Sequence, residues 1–114
     1  MDERIKELKE EVINNPIINS TELFQGANLI VTNDKTRKSK PQDIIIFTND
    51  AIELSWLVFK LKDLFQEDID YVNKYSFYTH IGELINKAIK KGLNLKEQML
   101  YVIDNLGEFV KKST

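Results

Sequence analysis

His80 is the single histidine of the chain, and Glu83 follows it three residues later, a spacing that puts both on one side of a helix. With Glu67, Asp68 and Asp70 nearby in sequence, these are the residues whose types would permit metal ligation or acid–base chemistry. The alternative is one imidazole among solvated carboxylates near a helix start, where negative charge is favourable in any case. The second reading is preferred, because the set lacks the paired ligand spacings that make a metal site specific. No metal and no cofactor is expected. Ser20, Ser39, Ser55, Ser76 and Ser113 lie in no Gly-x-Ser-x-Gly setting, and the four glycines are too scattered for a phosphate-cradling loop. With no cysteine, thiol nucleophiles, disulfides and zinc–thiolate sites are excluded together. The chain is therefore read as non-catalytic.

Two other groups suit recognition instead of catalysis. Lys35, Arg37, Lys38 and Lys40 place four positive charges in six residues, with no aromatics between them. They could grip phosphates or an acidic protein surface, or simply form a solvated loop, which is the preferred reading. The second group is aromatic. Seven of the eleven aromatic residues fall between Trp56 and Tyr78. Most are expected in the core, with Tyr71 and Tyr75, next to acidic and amide residues, as an exposed rim.

The helix expected over 51–65 carries two apolar sides. At about 100° per residue, Leu54, Leu57, Val58, Leu61, Leu64 and Phe65 make one broad stripe. Ile52, Trp56 and Phe59 make a second, with Glu53, Lys60, Asp63 and Glu67 around Trp56. Such a helix is either clasped between two layers or binds something on its outer face. Cover for Ile52 and Phe59 is available from neighbouring elements. Trp56 is the aromatic that internal packing explains least. As a protein-binding site the stripe would use Trp56, Ile52 and Phe59 as anchors, with Glu53, Asp63, Glu67, Asp68, Tyr71 and Tyr75 around them.

The elements that must position these residues follow from periodicity and punctuation. Ile5, Leu8 and Val12 mark an amphipathic helix over residues 2–14, ended by Asn14-Asn15-Pro16. Residues 27–33 and 43–48 have the β-branched content of strands and are read as a hairpin with the basic segment at its tip. Both end in Thr-Asn-Asp, a repeat read as turn and cap chemistry. Asp50 is placed as the N-cap of the helix 51–65. A second helix is expected over 79–91, with Ile81, Leu84, Ile85, Ala88 and Ile89 buried and Gly92 as its stop. The last helix, 95–110, opens on a capping box of Asn94 and Glu97 and weakens at Gly107. The fold class is α+β: a short N-terminal amphipathic helix, a β-hairpin, then three helices packed on it, in one domain over residues 1–114.

The order strand 43–48, helix 51–65, helix 79–91 is similar to that of a ribbon–helix–helix DNA-binding unit. In such a unit alternate strand side chains enter the DNA groove and are polar or basic. Ile44, Ile45, Ile46 and Phe47 leave neither strand face polar, and the net charge is −2. The leading expectation is a small cytoplasmic regulator or inhibitor, of the immunity-protein type found on mobile elements, that docks on another protein. DNA binding through residues 35–40 is the alternative, and self-association the third reading. No apolar run approaches a membrane span, so no membrane partner is expected.

Overall fold

The computed structural model describes residues 3–14, 22–69 and 73–113. In chain order the elements are α1 (Glu3–Ile13), β1 (Gln25–Gly26), β2 (Leu29–Thr32), β3 (Ile44–Phe47), α2 (Ala51–Leu64), α3 (Gln66–Ile69), α4 (Lys74–Lys90) and α5 (Leu95–Ser113). This is an α+β fold with the N-terminal helix first and one three-stranded sheet, ordered β1-β2-β3.

The sheet corrects the expected hairpin. The two strands do pair, but β2 and β3 run parallel, with Leu29 opposite Ile44 and Thr32 opposite Phe47. Residues 33–43 are thus a return connection that carries the chain back to the starting end of β2. Four residues of strand span only about 13 Å, a distance an irregular segment of this length covers without a crossover helix. The true hairpin is β1 with β2, turning at Ala27 and Asn28, where Ala27 has φ 50°. The Thr-Asn-Asp repeat closes the two parallel strands identically: the Asp34 N–H donates to Thr32 Oγ1 at 3.0 Å, and the Asp50 N–H donates to Thr48 Oγ1 at 3.0 Å. Asp50 does stand before α2, yet its side chain makes no capping bond there.

Alternation along the parallel pair decides where the core sits. Leu29, Val31 and Ile46 are buried in one cluster with Leu54, Leu57, Val58 and Leu61 of α2, Ile81 and Ile85 of α4, and Val102 and Leu106 of α5, and Ile44 packs against that cluster. α4 comes close because Gly82 faces the strands; a Cβ there would lie 2.9 Å from Ile44 Cγ2 and 3.1 Å from Leu29 Cδ1. The side chains of Ile30, Ile45 and Phe47 belong to the opposite face and do not join the cluster.

The helix ends follow local chemistry. Asn73 accepts hydrogen bonds from the N–H groups of Tyr75 and Ser76, so α4 begins at Lys74, five residues before the expected start at 79. It stops as expected at Gly92, whose φ of 75° lets Gly92 N–H reach Ile89 O and Leu93 N–H reach Ala88 O. Ile89, expected on the buried side, is exposed. The capping box of α5 is present, with reciprocal Asn94 and Glu97 bonds of 2.9 and 3.0 Å. α5 runs on past Gly107 to Ser113, and Gly107 lies against Ile5 of α1, whose Cδ1 would stand at ordinary contact distance, 3.5 Å, from a Cβ there.

Candidate functional site on the outer side of α2

The outer side of α2 stands between α1 and the residues leading into β1. α1 is held along α5 by the Lys9–Asp104 ion pair at 2.7 Å and by Lys96 Nζ, which donates to the carbonyl of Ile13 at 2.8 Å. Arg4 reaches across to donate to the carbonyl of Leu64 at the end of α2. α1 therefore flanks the lower half of the outer side. Between the two helices lies a groove of about 330 Å³, lined by Glu7, Leu8, Glu11, Lys60, Asp63 and Leu64 together with Arg4. Lys60 and Asp63 also border a smaller indentation of about 180 Å³ further along, whose other walls are Glu22, Ile52, Trp56 and Phe59.

The three anchors expected from the sequence thus share one depression. Each is half-buried, and Trp56 and Phe59 pack against the core from outside. Phe59 is held edge-on by Phe24, with ring centroids 5.1 Å apart. Phe24 is itself fixed by α2: its N–H donates to Ser55 Oγ at 2.8 Å, inside the protein. Trp56 has the Lys60 ammonium 5.8 Å from its ring centroid. Beneath them, burial and then the negative charge of Asp63 raise the pKa of the Tyr78 phenol, which keeps its proton through neutral pH.

The surrounding residues divide. Glu53 is half-buried, and its Oε2 is enclosed without a hydrogen-bond partner. Asp63 is exposed at the rim, and Glu67 is exposed on the short helix α3. Asp68 belongs elsewhere: it lines a separate open cleft of about 720 Å³ between α1 and α5, floored by Ile5, Phe65, Ile103 and Val110. Tyr75 is 59% exposed at the start of α4 and lines neither depression on α2. Tyr71 and Asp70 lie outside the described residues.

The basic segment is a folded connection and not a hairpin tip. Asp34 accepts from both the N–H and the hydroxyl of Thr36, at 2.9 and 2.6 Å, and these bonds lower its pKa. Asp43 accepts from the Lys40 N–H at 3.0 Å. Lys35, Lys38 and Lys40 are exposed, while Arg37 is half-buried with its Nε directed at the Lys38 carbonyl. Two carboxylates within the same turn region offset much of the local positive field.

Around His80 the structure shows packing. Its ring stacks on Phe109 of α5 with centroids 4.1 Å apart and planes 22° apart. Desolvation lowers its pKa, opposed by Glu83 and assisted by Lys87. Among the described residues, no three His, Asp or Glu side chains are grouped to hold a metal ion, and no helix is long and apolar enough to cross a membrane.

Two residues carry more than the sequence suggested. Ser55, one of five serines unremarkable as nucleophiles, is the buried acceptor that ties the chain before β1 to α2. Phe47 is 46% exposed, more so than any of the α2 anchors. The available signal was the unbroken run Ile-Ile-Ile-Phe in a strand, where alternate side chains must face opposite ways. No protein-family model, curated protein or solved structure matches this chain.

Proposed function

We propose that this chain is a non-catalytic binding protein that regulates or inhibits another protein by docking the outer side of α2 against it. The carrying observation is the depression at Trp56. Its volume of about 180 Å³ falls well short of the 300 Å³ or more typical of a cofactor or small-molecule pocket. It is the size of a single inserted side chain. Trp and Phe walls give such a side chain an apolar contact, and tryptophan is prominent among residues that dominate interface energies. Glu7, Glu11, Glu22 and Asp63 outnumber Arg4 and Lys60 around this depression and the adjoining groove, which favours a partner whose apolar residue is flanked by lysine or arginine.

The test is retention of native-host proteins on the immobilised chain, with Trp56→Ala alongside and both proteins matched in thermal midpoint. A partner held by the wild type and released by the variant is the expected result. Equal retention by the two would sink the reading. Nucleic-acid binding through exposed Lys35, Lys38 and Lys40 is the competing reading; its mark would be duplex affinity that falls steeply with salt.

A further inference from the structure

We propose that the free edge of β3 pairs antiparallel with the β3 edge of a second copy of this chain, joining two three-stranded sheets across a two-fold axis at Ile46. This surface is separate from the outer side of α2, and the proposal stands or falls independently of the docking reading.

β3 is the last strand of the sheet order, and among the described residues no strand lies beyond it. Among the described residues its backbone is bonded on one side only. The N–H of Ile44 donates to Asn28 O at 2.7 Å and that of Thr48 to Thr32 O at 3.0 Å, so the even-numbered residues serve β2. In a parallel pair the intervening residues point their N–H and C=O groups the other way. For β3 these are Ile45 and Phe47. They stand symmetrically about Ile46, so a second copy laid antiparallel matches Ile45 with Phe47 of the other chain, and Phe47 with its Ile45. Both pairs then exchange N–H and C=O bonds, in the closed, isologous arrangement that two-fold dimers use.

The side chains agree with the backbone. Strand edges left open in proteins that stay single are ordinarily protected by shortness, lysine, proline, a bulge or an inward charge. Ile44-Ile45-Ile46-Phe47 is short, at four residues, but carries no proline and no lysine or other charge. Ile45 is half-buried and Phe47 is 46% exposed, both on the sheet face that does not join the core. Pairing sets each phenyl ring beside an isoleucine of the other copy, a favourable aromatic with β-branched cross-strand neighbour.

Net charge favours the same direction. The segment entering β3, residues 34–43, carries Lys35, Arg37, Lys38 and Lys40 against Asp34 and Asp43, while the segment leaving it carries Asp50. Antiparallel pairing brings the basic entry of one copy alongside the acidic exit of the other, at both ends of the junction. A parallel arrangement would align like with like.

Sedimentation velocity on the full chain, loaded from the micromolar to the millimolar range, tests this directly. A shift from one chain mass to twice that mass with rising concentration is expected. Ile45→Pro removes an N–H that β2 does not use and should hold the protein monomeric throughout, as should Phe47→Lys, which alters only an exposed side chain. Circular dichroism checks that each variant is folded; should the proline variant unfold, Phe47→Lys decides. Amide exchange gives a second reading: Ile45 and Phe47 gain protection with concentration, whereas Ile44 and Thr48 are protected at every concentration. A wild type that remains monomeric overturns the proposal. So does a dimer that survives both β3 substitutions, or one dissolved by Trp56→Ala instead.

Discussion

Leu57 and Trp56 are adjacent in α2 and meet different surroundings. Leu57 is fully enclosed, as are Leu54, Val58 and Leu61, in a core shared by α2, α4, α5 and the sheet. Trp56, with Ile52 and Phe59, is half-covered, steadied by one ring from the chain before β1 and by one lysine of its own helix. The inner side is closed because several elements converge on it. The outer side is bordered by α1 and, among the described residues, not overlaid by it, since α1 is held along α5 by the Lys9–Asp104 pair and by Lys96 on the Ile13 carbonyl. Apolar composition alone does not make a core; convergence of elements does.

The contrast can be broken by substitution. Leu57→Ala should cost about 3 kcal/mol, as filled core positions do, read as a lowered urea midpoint with unchanged slope. A loss below about 1 kcal/mol would mean that the inner side is loosely packed. Ser55→Ala ranks next. It strips the Phe24 N–H of its buried acceptor, and an unpaired buried donor costs roughly 1–3 kcal/mol. Because that bond also sets Phe24 against Phe59, the same variant should shift tryptophan emission.

Trp56→Ala should cost less than either, about 1 kcal/mol, since a half-covered side chain leaves less surface and less cavity behind than a buried one. A loss as large as that of Leu57→Ala would place Trp56 in the core and remove the basis for docking. A smaller effect extends the comparison to polar groups. Burial lowers the pKa of His80 below its ordinary 6.5. Between the depressed native value and 6.5 the unfolded chain binds more protons, so stability rises with pH across that window and is lost as pH falls through it. His80→Phe should flatten this slope in a urea-midpoint series. Smallest of all, replacing Lys35, Lys38 and Lys40 with serine should move stability by no more than about 0.5 kcal/mol per site.

Much of this was legible in the residues. The stripe of α2, the Gly92 stop and the Asn94–Glu97 box are local, fixed by side-chain spacing and by backbone groups a few residues apart. The start of α4 is hidden in the sequence, because Tyr75, Phe77 and Tyr78 look like a separate aromatic cluster until Asn73 is seen as the cap. The parallel course of β3 was not legible, because turn-forming residues between two strands look alike whether the connection reverses the chain or returns it. The site was half-legible: Ile52, Trp56 and Phe59 do meet, whereas Asp68 and Tyr75 are carried to other surfaces by α3 and α4.

By itself the sequence determined the α+β class, most helix boundaries, the inner stripe of α2 and the absence of cysteine chemistry, all of which depend on composition and short-range periodicity. Only the tertiary structure decided which apolar residues stay uncovered. That depends on where distant elements come to rest: α1 on α5 and not on Trp56, α4 over Leu29 and Ile44 through Gly82, and β3 at an edge with Phe47 turned away from the core.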